Sequence, residues 1–184
     1  MIRRGRLVLL SGVVLLLTTL GIYVLLSRTS TTSFTVQQSL ATFTEKGVTV
    51  EVVVEKDQTG QTWLAGTFTP TQPRFHLYSM DLPRKGSGGV GRPTLLEVIA
   101  PPDLRPIGPL QADQPVQDLY FDVLQRSFPV YPDGAVTVRL PIEKPDRPAI
   151  TIELAITYMA CSDTTCLPPV ENKPVSVTLF GRRE

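Results

Sequence analysis

The chain has little of what most enzyme chemistry requires: among 184 residues there are one histidine and two cysteines. It has no HExxH or paired CxxC metal motif and no GxSxG nucleophile elbow. Zinc chemistry and a Ser/His/Asp hydrolase therefore find no support in its motifs. It also lacks an excess of charge of one sign. Eighteen basic residues face 17 acidic ones, a formal net of +1, which offers no overall basic field for nucleic acid. Charged residues make up only 19% against 42% hydrophobic, a balance unlike that of disordered chains. Room for long helices is missing as well. All 17 prolines fall between Pro70 and Pro174, and a helix interior does not tolerate such interruptions, so an α/β or helix-bundle enzyme is not expected.

What is present begins with a long apolar run. Leu7 to Leu26 reads LVLLSGVVLLLTTLGIYVLL, without a charge, and at about 1.5 Å per helical residue it matches the roughly 30 Å hydrocarbon core of a bilayer. Residues 1–6, with Arg3, Arg4 and Arg6, form a basic tip that the positive-inside rule leaves in the cytoplasm, sending the rest outward. The stretch reads as a transmembrane anchor or a signal peptide. No Ala-x-Ala follows it, and it is longer than the usual signal core of about 7–15 residues, which favours the anchor. Residues 27–33 form a polar tether, and 34–184 the exported domain. Without the three arginines, the 18 basic residues fall to 15 against 17 acidic, a net of −2.

Period-two alternation dominates the exported part. It runs through Val48, Val50, Val52 and Val54, then Val136, Val138, Leu140 and Ile142, and longest through Ile150, Ile152, Leu154, Ile156 and Tyr158. Further strand candidates are Gln61 to Thr69, Arg74 to Met80, Thr94 to Ile99 and Val175 to Phe180, separated by turn signals at Asp57 to Gly60 and Pro132 to Gly134. Only Thr94 to Ala100 and Leu119 to Gln125 have room for a short helix. The pattern predicts an all-β domain, an immunoglobulin-like antiparallel β-sandwich preceded by one N-terminal transmembrane helix.

Three features resemble chemistry. Gly86, Gly88 and Gly91 match the spacing GxGxxG, but Pro83 before them and Pro93 after leave no strand-to-helix unit to receive a pyrophosphate; a mobile surface loop is expected. His76, between Phe75 and Leu77 in a strand pattern, reads as structural or exposed. Cys161 and Cys166 lie in YMACSDTTCLPP directly after the strongest strand. If Ser162 to Thr165 form a hairpin tip, the cysteines oppose each other at about 4.5 Å between Cα atoms, within reach of a disulfide. A closed loop of about six residues contributes only about 2 kcal/mol, against about 4 for a crosslink of distant strands. An immunoglobulin-type bridge joins the two sheets and packs on a tryptophan, whereas this pair is local and Trp63 lies far upstream. Spacing alone leaves a structural and a redox role both open.

The segment Tyr158-Met-Ala-Cys161-Ser-Asp-Thr-Thr-Cys166-Leu-Pro-Pro169 resembles the active-site hairpin of the periplasmic amino-terminal domain of the DsbD thiol:disulfide interchange family. The shared features are the Tyr-x-x-Cys opening, both cysteines and the Pro-Pro. Phe75-His-Leu-Tyr78, leading to Asp81-Leu-Pro83, is similar to that family's aromatic Tyr-Leu-Tyr strand, and the likeness covers roughly residues 35 to 180. It implies an immunoglobulin-like fold and a thiol-disulfide exchange function needing no cofactor or metal. Electrons would come from a membrane transporter and pass to thioredoxin-like or cytochrome c maturation partners outside the cytoplasm.

By position, the resemblance makes Cys166 the attacking cysteine and Cys161 the resolving one. Asp163, with Asp118 as a second carboxylate, is expected to raise the thiol pKa. Tyr120 or Phe121, in Asp118-Leu119-Tyr120-Phe121, matches the family's aromatic cap, and Phe75 and Tyr78 line the site. The sequence carries neither a multi-helix transporter nor a thioredoxin-like domain, so a separate DsbD-type membrane electron transporter is the expected donor. Two rivals stand beside this reading. One is an anchored structural or assembly domain with a hairpin-pinning disulfide. The other is a Cu(I)-binding module using both cysteines with Met159 or Met80.

Overall fold

The computed structural model describes residues 32–101, 104–122, 124–143 and 147–181. The basic tip, the apolar stretch 7–26 and tether residues 27–31 lie outside the described residues. Among those described there is no helix, and every ladder between strands is antiparallel. The strands are β1 (Phe34–Glu45), β2 (Val48–Asp57), β3 (Thr62–Pro70), β4 (His76–Leu77), β5 (Leu95–Ala100), β6 (Gln111–Ala112), β7 (Gln117–Phe121), β8 (Arg126–Val130), β9 (Val136–Pro141), β10 (Ala149–Tyr158), β11 (Ala160–Cys161) and β12 (Val170–Phe180). They form a five-stranded sheet in the order β1-β2-β3-β9-β6 and a three-stranded sheet in the order β12-β10-β5. Two small ribbons, β11-β4 and β7-β8, complete the fold.

The alternating valines of β2 explain the larger sheet. Val48, Val50 and Val52 are fully buried and meet Leu64 and Phe68 of β3 and Val136 and Val138 of β9 in a core shared with Leu96, Ile152, Leu154, Ile156, Val177 and Leu179 of the three-stranded sheet. Each such aliphatic side chain contributes about 1.5–3 kcal/mol on leaving water. Tyr158 ends β10 inside this core, in edge contact with Phe68 at 5.5 Å between centroids. Its hydroxyl donates to the Glu45 carbonyl at 3.0 Å, tying the hairpin base to β1.

Both expected turns form. The Asp57 carboxylate accepts from the Thr59 and Gln61 amides and the Trp63 indole. Gly134, at φ 106°, bends the chain between β8 and β9. The two segments with room for a helix do not form one: Thr94 to Ala100 holds strand β5, and Leu119 to Gln125 finishes β7 and turns. Of Arg74 to Met80, only His76 and Leu77 are ladder residues. Strand β1 escaped the alternation reading because register shifts between Val36 and Gln38 and between Ser39 and Ala41 break its period. At one of these breaks the Gln38 amide donates to the Thr178 carbonyl and accepts from the Phe180 amide, so a side chain stands in for the ladder between β1 and β12.

Candidate functional site

The cysteine hairpin continues the β10–β12 pair past Tyr158. The Leu167 amide donates to Ala160 at 2.9 Å and the Ser162 amide to Thr165 at 2.7 Å. Cys161 and Cys166 therefore face each other between two narrow hydrogen-bonded rungs, as a non-hydrogen-bonded pair. Their Cα atoms are 4.0 Å apart and their sulfurs are joined as a disulfide. The Ser162 hydroxyl fastens the tip by accepting from the Thr165 amide at 3.2 Å.

The two sulfurs occupy different environments. Cys161 is 0% exposed, whereas Cys166 and its neighbours Asp163, Thr164 and Thr165 are exposed. The cause is the strand period. Along residues 75–78, Phe75 and Leu77 enter the main core, while Tyr78 enters a second apolar cluster; along 158–161, Tyr158 and Ala160 enter the main core, while Cys161 joins that cluster and Met159 packs against it. These two segments, paired as β4 and β11, form a wall whose two faces serve two cores.

The second cluster contains Tyr78, Leu82, Phe121, Phe128, Val130 and Cys161. Its rings meet edge to face: Tyr78 with Phe128 at 5.9 Å and Phe121 with Phe128 at 5.3 Å. The Tyr78 hydroxyl lies 3.2 Å from Cys161 Sγ. Burial pushes Tyr78 up to about 12, so near neutral pH this hydroxyl keeps its proton and donates towards sulfur. Gly91 closes one side at φ +79°, where a Cβ would stand 2.8 Å from Leu82 and 2.9 Å from the Tyr78 ring. The glycine loop thus backs the cysteine cluster, and the Arg92 guanidinium fastens it by donating to the carbonyls of Lys85, Gly89 and Gly91.

Of the residues singled out from sequence, Tyr78 and Phe121 pack with Cys161. Phe75 belongs to the main core. Asp118 and Tyr120 fall on the outward face of β7, and the Tyr120 hydroxyl donates to Gln125. Asp163 is at the exposed tip. Met80 offers its backbone amide to the Tyr131 hydroxyl. Among the described residues no group of three or more His, Cys, Asp or Glu side chains is placed to hold a metal ion.

Sequence reasoning missed Phe128 and Val130, whose alternation with Ser127 and Pro129 was the available signal. His76, expected to be structural or exposed, is buried. This residue is 1% exposed, sits directly across the ladder from Cys161, and touches Tyr78 and Phe121 at 6.1 and 5.8 Å between rings. Burial holds its imidazole below the ordinary histidine value, with Asp133 and Asp163 pulling the other way. Compared with known proteins, the chain matches no family model, no curated protein and no solved structure.

Proposed function

We propose that this protein is an extracytoplasmic thiol-disulfide exchange module, cycling between a Cys161–Cys166 disulfide and a dithiol. In this reading the two sheets and their shared core are an immunoglobulin-like sandwich of the DsbD amino-terminal type. The apolar stretch 7–26 holds it at the outer face of the cell membrane. A separate membrane electron transporter reduces it, and thioredoxin-like or cytochrome c maturation proteins accept its electrons.

The observation that carries the reading is the asymmetry of the pair: an exposed Cys166 beside a buried Cys161. Exchange requires one sulfur that a partner can reach in line and a second, held beside it, that displaces the partner. Cys166 thiolate attacks one sulfur of the partner's disulfide, and the partner's other sulfur leaves with the electron pair. Cys161 then attacks Cys166, restoring the internal disulfide and releasing the partner as a dithiol. A structural crosslink has no need of an exposed member, and one closing so short a loop adds only about 2 kcal/mol.

Trapping tests the proposal. The full chain carrying Cys161→Ser retains the attacking Cys166 but cannot resolve, so it should accumulate mixed disulfides with thioredoxin-like proteins. A wild-type pair that stays oxidised under every growth condition, together with a variant that captures no partner, refutes the reading and leaves a hairpin-pinning disulfide.

A further inference from the structure

We propose that His76 is the acid–base partner of Cys161, taking the thiol proton as the disulfide forms and returning it as the disulfide is reduced. This rests on the exchange reading above and adds to it the path of the proton.

Four observations carry it. His76 and Cys161 are directly opposed in the β4–β11 ladder, which puts their side chains on one face with Cβ atoms about 4.5–5.5 Å apart. The imidazole touches Tyr78 and Phe121, the aromatics that also pack with Cys161. Its Nδ1 lies 3.8 Å from the Asp133 carboxylate, which favours a proton on Nδ1 and leaves Nε2 as the acceptor. Finally, Nε2 is the one buried side-chain nitrogen or oxygen without a hydrogen-bond partner among the described residues.

Buried polar atoms are almost always satisfied, so this exception needs a cause. The oxidised state supplies one. A disulfide sulfur has no hydrogen to donate, whereas a Cys161 thiol does. The groups that bear on the imidazole come from four places: Cys161 on β11, Tyr78 just beyond β4, Asp133 in the turn before β9 and Asp163 at the hairpin tip.

The steps balance. As Cys161 attacks Cys166 within the mixed disulfide, its proton moves to Nε2, the Cys161–Cys166 bond forms, and the Cys166–partner bond breaks with its electron pair going to the partner's sulfur. The imidazolium then loses its proton to water. In re-reduction His76 first takes a proton from water; a donor thiolate then attacks Cys166 and Cys161 leaves as a thiolate, which the Tyr78 hydroxyl stabilises and the imidazolium protonates. The donor's second thiol then releases the donor as a disulfide, leaving Cys166 reduced.

Because the sequence holds a single histidine, imidazole NMR of the untagged full chain reads this group alone. Its titration is followed with the pair oxidised and again after reduction by tris(2-carboxyethyl)phosphine. Reduction should lower the His76 pKa by about one unit or more, as a Cys161 thiol that donates to Nε2 stabilises the neutral imidazole. Equal values in both states overturn the proposal. In His76→Gln, the rate of reduction by dithiothreitol, corrected for the reagent's own thiolate fraction, should lose the pH inflection seen in the wild type. An unchanged inflection also overturns it. The two readings fail separately. A redox-dependent histidine in a protein that exchanges with no thioredoxin-like disulfide removes the function and keeps the proton coupling, while exchange with an indifferent histidine removes only the coupling.

Discussion

Reduction of Cys161–Cys166 should leave the domain folded, because the crosslink contributes little and neither sulfur belongs to the main core. The bridge joins residues five apart in sequence; opening a loop this short returns about 2 kcal/mol of chain entropy to the unfolded state. The main core of β2, β3, β9, β10 and β12 contains neither cysteine. Cys161 belongs instead to the smaller cluster with Tyr78, Phe121 and Phe128, and as a thiol it keeps its apolar contacts there. For a domain of this size, 1 kcal/mol corresponds to about 2–4 °C in Tm, so reduction should lower Tm by about 4–8 °C. The assay is thermal unfolding followed by near-ultraviolet circular dichroism, with and without tris(2-carboxyethyl)phosphine at one pH. Loss of the folded signal at room temperature, or a fall beyond about 15 °C by the same conversion, would show that the disulfide is a staple and refute the reasoning.

Three further outcomes follow from the same geometry. Tyr78→Phe removes the hydroxyl that lies 3.2 Å from Cys161 Sγ; a hydrogen bond to a charged group is worth about 1.5–3 kcal/mol, so reduction by dithiothreitol should slow about tenfold or more while the urea midpoint moves little. Gly91→Ala places a Cβ against Leu82 and Tyr78 at a positive φ, and urea denaturation should show a loss of about 1–3 kcal/mol. For His76, burial lowers the folded-state pKa below the ordinary 6.5, so the unfolded chain binds the proton first. Its stabilising contribution is therefore complete above that value and declines as pH falls through it towards the lowered one. Urea midpoints at pH 8 and pH 5.5 should differ more for the oxidised wild type than for His76→Gln, and equal differences would exclude this origin.

Local patterning carried much of the fold. The valines of β2, the run from Ile150 to Tyr158 and the turn residues Asp57 to Gly60 are each legible alone, because period-two alternation and turn chemistry act over neighbouring residues. Strand β1 was not legible, since its two register shifts scramble the period and its polar face includes Gln38, whose role depends on a partner about 140 residues away. The Cys161–Cys166 opposition was legible because a hairpin joins residues close in sequence, and the geometry matched the expected non-hydrogen-bonded pair.

The sequence by itself determined an antiparallel β domain with two cysteines opposed at a hairpin tip, since strand period and short loops are local properties. Only the tertiary structure decided which sulfur is buried, that Tyr78 and Phe121 pack with it while Phe75, Asp118 and Tyr120 do not, and that His76 lies across from Cys161. Those outcomes depend on which of two cores each strand face meets. That choice is made when segments far apart in the chain, residues 75–78 and 158–161, pair to form the wall between the cores.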